Sequence, residues 1–261
     1  MDVEMVAEAY SDSVLKKLQD QDPVTILGVI VALIVVILTI VFLKIFWGSK
    51  STRSAVLLVG LCDSGKTLLF SRLLTGKFRR TQTSITDSSA IYRPKTDTGS
   101  GWTLIDLPGH ESLRPQFIEK FKSAARAIVF VVDSAIFQKE VRDVAEFLYS
   151  LLTDSVISRN APTVLVACNK QDNTMAKSAK LIQQQLEKEL NTLRVTRSAA
   201  LSSQDGSAGG GSVYLGKKGK DFDFSQLSMR VDFVECSARG NKGEEGEADV
   251  ENLEKCLAKL L

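Results

Sequence analysis

A short stretch of the chain, Gly60 to Thr67, has residue types and spacing that suit phosphate binding. It reads GLCDSGKT and matches the pattern G-x-x-x-x-G-K-[ST]. Backbone N–H groups of such a loop surround phosphate oxygens, Lys66 would reach the outer phosphates, and the Thr67 hydroxyl would hold Mg²⁺. Because short patterns occur by chance, this one is informative only where it follows a strand and opens a helix.

A second polar segment, Asp106 to Glu111, reads DLPGHE and contains His110, the single histidine of the chain. Asp106 could hold Mg²⁺ through a water molecule, and the Gly109 amide could contact a terminal phosphate. The histidine by itself fits a catalytic group, a metal ligand or an incidental loop residue. The pattern D-x-x-G is weak alone, and only its place downstream of the phosphate-binding stretch makes it informative.

A third segment, Asn169 to Asp172, reads NKQD. The Asp172 carboxylate could accept hydrogen bonds from N1 and N2 of guanine, whereas adenine would present an acceptor to it, at a cost of about a few kcal/mol. The stem of Lys170 is long enough to lie along a base. Ser237 and Ala238 follow a later strand, and the Ala238 amide could meet guanine O6. With the phosphate-binding stretch, these residues favour a guanine nucleotide, GTP or GDP.

The elements that would position these segments alternate between strand and helix. Strands are predicted at residues 55–60, 88–94, 101–106, 127–133, 162–170 and 231–238. Helices are predicted at residues 66–75, 139–152, 176–193 and 248–261. This alternation is typical of an α/β fold with a mostly parallel sheet covered by helices on both faces. Each polar segment then lies at or just after the carboxyl end of a strand.

The composition argues against nucleic-acid-binding and zinc proteins. The chain has 261 residues and a formal net charge of +2, without the basic excess that nucleic-acid surfaces show, and it carries no direct nucleic-acid motif. Its four cysteines stand far apart, which does not suit a metal site. We expect them to be reduced thiols in the cytosol.

One segment, residues 24–47, is predicted to cross a membrane once as a transmembrane helix. Its part from Val24 to Leu43 carries no charge, and at about 1.5 Å per residue it spans roughly 30 Å, the thickness of a bilayer core. Lys44 and Trp47 suit an anchor at the membrane surface. A core helix would not be so uniformly apolar, and a signal peptide would have a basic leader and a cleavage site.

The rest of the chain divides around this segment. Residues 1–23 form a short N-terminal segment, residues 48–54 a linker, and residues 55–261 the nucleotide-binding domain. Within that domain, residues 198–220 are rich in Gly, Ser and Lys, which predicts a flexible surface insertion. Because GTP and reduced thiols are found in the cytosol, the domain should be cytosolic and residues 1–23 lumenal.

The order and spacing of GLCDSGKT, DLPG, NKQD and Cys236-Ser237-Ala238 resemble the Ras-like small GTPases, specifically their Arf and Sar branch. The resemblance extends from about Ser54 to Leu261. It implies the P-loop NTPase small-GTPase fold, α/β with a mostly parallel six-stranded sheet flanked by helices. With the membrane segment and the insertion before the last strand, the chain is similar to one family in particular, the beta subunits of the signal recognition particle receptor.

The resemblance implies roles for single residues. His110 would orient the attacking water, where the family usually has glutamine, and Cys62 would crowd that water and slow hydrolysis. The second hydroxyl on Mg²⁺ is predicted to be Thr83, with Thr81, Ser84 and Thr86 as alternatives. The residues predicted to bind phosphate are Gly60, Leu61, Cys62, Asp63, Ser64, Gly65, Lys66, Thr67, Leu68, Thr81, Gln82, Thr83, Ser84 and Gly109. Those predicted to bind guanine are Asn169, Lys170, Asp172, Ser237 and Ala238. Those predicted to hold Mg²⁺ are Thr67, Thr83 and, through water, Asp106.

The resemblance also implies partners and a location. One partner is the receptor alpha subunit, bound through its N-terminal domain at the switch face, which is formed by residues 80–84 and 106–111. The other is the endoplasmic reticulum membrane, which residues 24–47 cross. The ribosome or the translocon is a further candidate. Two functions remain open: a switch that hydrolyses GTP slowly, and a scaffold that keeps GTP without significant hydrolysis. A Sar-like or Arf-like trafficking GTPase is disfavoured because a permanent span prevents cycling on and off the membrane.

Overall fold

The structure, a computed structural model, describes Leu27 and residues 31–39, 53–94, 101–203, 213–240 and 246–259. The chain divides into two compact units, Met1–Thr52 and Arg53–Leu261. In the first unit, Leu27 and residues 31–39 are helical, and their large hydrophobic side chains are more than half exposed. No helix within the described ranges is both long and apolar enough to cross a membrane. The span predicted at residues 24–47 lies largely outside those ranges and stays a prediction.

The second unit is built on a six-stranded sheet with the order β2-β3-β1-β4-β5-β6. Strand β2 runs antiparallel to β3, and every other pair of neighbours is parallel. The predicted α/β fold with a mostly parallel sheet is therefore confirmed. The strands are β1 (Ala55–Gly60), β2 (Ser88–Tyr92), β3 (Trp102–Asp106), β4 (Ala125–Asp133), β5 (Thr163–Asn169) and β6 (Val231–Glu235).

Helices cover both faces of this sheet. On one face Leu57 and Phe130 pack in the same core as Leu148, while on the other Leu58 packs in the same core as Leu69. Strands β1, β4 and β5 are buried on both faces and are accordingly apolar almost throughout, without alternation. The helices are α1 (Lys66–Thr75), α2 (Arg114–Phe121), α3 (Phe137–Thr153), α4 (Ser155–Asn160), α5 (Ala179–Ser203) and α6 (Glu251–Ala258).

Helix α5 is longer than predicted, and this changes the picture of the insertion. It runs on to Ser203, inside the segment expected to be a flexible insertion. Beyond residues 204–212, which the structure does not describe, the chain returns to the domain, because Leu215 is only 1% exposed. The buried Arg194 donates to the carbonyls of Lys217 and Lys220. Residues 198–203 are therefore helical and do not form a loop, whereas residues 213–220 are mostly exposed and have no helix or strand. The flexibility of the insertion stays a prediction.

Helices α2 and α4 lack a sequence prediction. Both are short, so neither shows enough turns for apolar periodicity to be recognised. A local signal was nevertheless present for α4, because Asp154 accepts hydrogen bonds from the amides of Val156 and Ile157 as an N-cap residue.

Candidate functional site

The phosphate-binding stretch forms the turn between β1 and α1, the context that its pattern requires. Gly65 has φ 91° and is the residue before the first turn of α1. A Cβ atom there would lie 2.4 Å from the side-chain nitrogen of Asn169, so only glycine fits both the backbone and the space. The stretch is therefore held against β5, on which one of the predicted guanine-binding residues lies.

Lys66 is buried in the middle of this stretch. Only 6% of it is exposed, and its Nζ donates to the carbonyl of Leu61 at 2.6 Å. Burial lowers the pKa of the Lys66 ammonium below its ordinary value, and the attraction of the Asp106 carboxylate opposes that shift. A desolvated ammonium of this kind gains strongly from an anion placed beside it.

The segment that begins at Asp106 lies against the phosphate-binding stretch. A Cβ atom on Gly109 would come within 2.6 Å of the Lys66 Nζ and 2.9 Å of the Cys62 amide nitrogen. A larger residue at position 109 would therefore push the two segments apart. The Gly109 backbone thus lies where a phosphate contacted by Lys66 would also be within its reach.

The Thr67 hydroxyl is the centre of a small group of oxygens. It donates to Asp106 Oδ2 at 2.7 Å and lies 3.0 Å from the Ser84 hydroxyl. The other carboxylate oxygen, Asp106 Oδ1, is buried and has no hydrogen-bond partner among the described residues. Burial raises the pKa of Asp106, against the hydrogen bond from Thr67 and the charge of Lys66. Hard oxygen ligands around an unpartnered carboxylate oxygen fit Mg²⁺.

The hydroxyl beside Thr67 belongs to Ser84 and not to Thr83. Thr83 is exposed, as are Thr81 and Gln82, whereas Ser84 is half-buried and faces α1. The structure therefore favours Ser84, one of the alternatives, over the predicted Thr83 as the second hydroxyl for Mg²⁺.

The predicted guanine-binding residues meet at the carboxyl ends of β5 and β6. The buried Asn169 donates to the Ser64 carbonyl at 2.8 Å and accepts from the Ala238 amide at 3.0 Å. Asp172 accepts from the Ser237 hydroxyl at 2.5 Å. Asn169 thus connects the phosphate-binding stretch to the loop after β6, and in this structure it engages the amide that was expected to meet guanine O6.

Two residues of this site have no role in the sequence prediction. Asp133, at the end of β4, accepts from the Lys170 Nζ at 2.5 Å, and Lys170 itself has φ 66°. Asp133 also accepts from the Ala135 amide at 2.9 Å, which fixes its carboxylate. Its signal was its position, because it ends a buried strand beside the strand that carries Asn169. The second residue, Arg72, contacts the loop after β6.

His110 lies at the mouth of a cleft between α2 and α3. The cleft has a volume of about 820 Å³ and is also lined by Cys62 and Arg114. His110 is exposed, and its Nδ1 accepts from the Ser112 amide at 3.3 Å. The guanidinium of Arg114 lies over the Phe147 ring, 4.5 Å from its centre. The imidazole is thus near the phosphate-binding stretch with one nitrogen engaged by its own loop.

Comparison with known proteins gives one consistent family. A family model described as the signal recognition particle receptor beta subunit matches residues 51–231. A curated protein of that name from Rattus norvegicus is 65% identical over 253 residues, covering 97% of this chain and 93% of the relative. The corresponding Homo sapiens protein is 64% identical with the same coverage.

Solved structures agree with this. One of the mammalian SRP receptor is similar with a TM-score of 0.69 and 64% identity, covering 79% of this chain and 100% of that one. Another, of the signal recognition particle receptor SRb with GDP and Mg from Chaetomium thermophilum, has a TM-score of 0.58 and 25% identity, covering 79% of this chain and 97% of that one.

Proposed function

The chain belongs to the family of signal recognition particle receptor beta subunits, and we propose that it is the GTP-binding subunit that anchors this receptor in the endoplasmic reticulum membrane. In this role the protein binds GTP with Mg²⁺ and holds the receptor alpha subunit at the membrane for co-translational targeting. One observation carries the proposal: the buried Lys66, the Thr67–Asp106 pair and the Asn169–Asp172 segment lie at the same edge of the sheet, where the parallel strands β1, β3 and β5 end.

These three groups divide the recognition of GTP between them. Lys66 and the backbone of residues 60–68 bind the phosphates, and Gly109 contacts the terminal one. Asn169 and Asp172 recognise guanine, with Lys170 along the base. A guanine nucleotide leaves neither the Asp172 carboxylate nor the ammonium of Lys66 unpaired, whereas an adenine nucleotide would satisfy only the ammonium. The GDP and Mg bound by the Chaetomium relative agree with this division.

Mg²⁺ would be held by the hydroxyls of Thr67 and Ser84, with Asp106 acting through water. When bound, it neutralises negative charge on the outer phosphates. Asp106 is suited to this because its unpartnered oxygen is already desolvated, so that a cation replaces a missing interaction. The three residues come from α1, the segment before β2 and the end of β3, which makes the metal site dependent on the fold.

Replacing Ser84 with alanine should weaken Mg²⁺ binding in the GTP complex about tenfold or more, because a metal ligand is lost. Replacing Thr83 with alanine should leave it unchanged, because Thr83 is exposed. The two neighbouring variants are matched controls for each other. Titration of Mg²⁺ against the rate of release of a fluorescent GTP analogue measures the effect. A loss in Thr83→Ala and none in Ser84→Ala would restore the original assignment.

Hydrolysis in this site is slow in the isolated protein. His110 is exposed and partly engaged by the Ser112 amide, so it must turn inward to hydrogen-bond an attacking water. The Cys62 backbone lies close to Gly109, so a thiol at position 62 would crowd that water. A partner that reshapes the loop would bring His110 into place.

Replacing His110 with alanine should therefore reduce single-turnover GTP hydrolysis by about tenfold to a hundredfold, while GTP affinity stays the same. His110→Gln should retain most of the rate, because an amide can also hydrogen-bond a water molecule. Glu111→Gln, next to it and also exposed, serves as the control. Equal rates for wild type and His110→Ala would remove the catalytic role and favour the scaffold function.

The partner and the membrane complete the proposed function. The receptor alpha subunit binds through its N-terminal domain at the switch face, where Ile85 is 73% and Ile91 68% exposed. Residues 24–47 cross the membrane once, with residues 1–23 in the lumen. The ribosome or the translocon is a further contact of the assembled receptor. In the alternative function, the domain keeps GTP as a structural component and does not hydrolyse it.

One experiment tests this function against its alternative. The full chain, purified in detergent, should carry GTP or GDP and should prefer them over adenine nucleotides. If it is a switch, it should bind the N-terminal domain of the alpha subunit with GTP and release it with GDP. A scaffold would bind that domain and never convert GTP. Absence of any preference for guanine nucleotides would refute both.

A further inference from the structure

Arg72 lies on α1, the helix that begins at the phosphate-binding stretch, yet it is directed away from the phosphates. Only 5% of the residue is exposed. Its guanidinium enters the loop that connects β6 to α6, between the two ends of that loop. Arg72 therefore connects α1, which begins at the phosphate-binding stretch, to the loop that carries the predicted guanine-binding residues Ser237 and Ala238.

The guanidinium of Arg72 donates to four backbone carbonyls. Its Nη1 bonds the Gly76 carbonyl at 2.8 Å, at the end of α1. Its Nε bonds the Ala238 carbonyl at 3.0 Å, and its Nη2 bonds the carbonyls of Arg239 at 3.2 Å and Gly246 at 2.8 Å. The three loop carbonyls stand on both sides of residues 241–245. Arg72 therefore closes the loop at its base.

A buried guanidinium is stable only where its donors are satisfied, because removing its charge from water costs several kcal/mol. Four backbone carbonyls accept from the guanidinium here, so most of its five N–H donors have a partner. The planar fork of arginine reaches separate acceptors at fixed angles, which the single nitrogen of lysine cannot do. The position therefore demands arginine for geometry and not for charge alone.

The loop held by Arg72 contacts the residues that recognise guanine. Its first residues, Ser237 and Ala238, bond Asp172 and Asn169, at 2.5 and 3.0 Å. The Ser237 hydroxyl also accepts from the Gly240 amide at 2.9 Å. Arg72 thus fixes backbone carbonyls of the loop, while Ser237 and Ala238 of the same loop bond Asp172 and Asn169.

We propose that Arg72 is a positioning residue for guanine recognition: by clamping the loop after β6 to α1, it keeps Ser237 and Ala238 in register with Asp172 and Asn169. This inference rests on the proposed function, since it concerns the same nucleotide site. Arg72 touches neither base nor phosphate. Its loss should affect the choice of base and not the binding of phosphate.

The test measures GDP and ADP affinity of the full chain in detergent, by competition against a fluorescent GDP. ADP shares the ribose and phosphate contacts but not the guanine contacts. In Arg72→Met, which keeps the length but removes the donors, GDP affinity should fall about tenfold to a hundredfold. ADP affinity should stay unchanged, so the preference for GDP shrinks by the same factor. An equal loss for both nucleotides, or for neither, overturns the proposal.

Arg72→Lys and Leu148→Ala complete the design. Lysine keeps the charge but cannot span all the carbonyls, so its GDP preference should lie between wild type and Arg72→Met. If the methionine variant does not fold, an unchanged preference in Arg72→Lys overturns the proposal by itself. Leu148, on α3 and fully buried, lies in the core on the other face of the sheet, so Leu148→Ala lowers stability without touching the loop. An equal loss of preference in this control would show that the ratio follows stability alone. A wild-type protein without any preference for GDP would instead refute the proposed function.

Discussion

Replacing Lys66 with methionine should remove detectable GTP and GDP binding without destabilising the nucleotide-free protein. In the proposed site the ammonium would make charge-assisted hydrogen bonds to the phosphates, and their loss should weaken affinity about a hundredfold to ten-thousandfold. Methionine is similar in length and apolar, so it fits a position of which only 6% is exposed. The exposed Lys77, near the end of α1, gives the control variant Lys77→Met, which should bind nucleotide normally. Calorimetric titration of both variants with GTP measures the difference.

The effect of Lys66→Met on the free energy of unfolding follows from the pKa shift of Lys66. Burial lowers the pKa of Lys66 in the folded state, so the unfolded state binds the proton more tightly. The charged lysine therefore reduces the free energy of unfolding of the nucleotide-free wild type at neutral pH. This penalty disappears as pH rises from the lowered pKa towards 10.5. In chemical denaturation at pH 7, the variant should be at least as stable as the wild type. At pH 10 the difference in free energy of unfolding between the two proteins should be smaller. A clear loss of stability at pH 7 would contradict the argument.

Replacing Asp172 with asparagine should change the preferred base from guanine to xanthine. In the proposed site the carboxylate would accept from guanine N1 and N2, and asparagine would replace one acceptor by a donor that faces the N2 amine. The mismatch should weaken GDP binding about a hundredfold to a thousandfold. Xanthine carries an oxygen at that position, which can accept from the new amide, so its diphosphate should bind more tightly than GDP.

Competition between GDP and xanthosine diphosphate measures the change in base preference. The exposed Asp223, which accepts from the Ser225 amide and lies outside the site, gives the control variant Asp223→Asn. It should keep the wild-type preference. If Asp172→Asn still prefers GDP, the base is recognised by other residues, and the assignment of NKQD to guanine fails.

Much of the fold could be predicted because its signals are local. Strands such as Ala55–Gly60 and Thr163–Asn169 are short apolar runs bounded by polar residues, and their predicted positions differ from the observed ones by one residue at most. Helix α1 has the predicted limits, because Gly65 and Gly76 stand on either side of it. Helix α5 was predicted too short since residues 194–203 lose the apolar periodicity, while tertiary contacts of Arg194 support it.

The candidate site was likewise predictable in part from local sequence, and tertiary contacts decided the rest. The residue types of GLCDSGKT, DLPG and NKQD predict a nucleotide site by themselves, because the expected contacts of each motif come from backbone or side chains within a few positions. Which hydroxyl faces the metal, Thr83 or Ser84, depends on how the segment before β2 lies against α1. The sequence cannot decide this, since both residues offer the same chemistry.

The sequence alone therefore predicted the class of protein, its six strands and four of the helices, and the residues proposed to contact the nucleotide. Only the tertiary structure assigned Asp133 to Lys170, and Arg72 to a loop whose contacts lie 166 to 174 residues further along the chain. Such contacts leave no periodic or motif-like pattern, because they arise when distant strands end at the same edge of the sheet. The loop carbonyls that accept from Arg72 reach it only once that edge has formed.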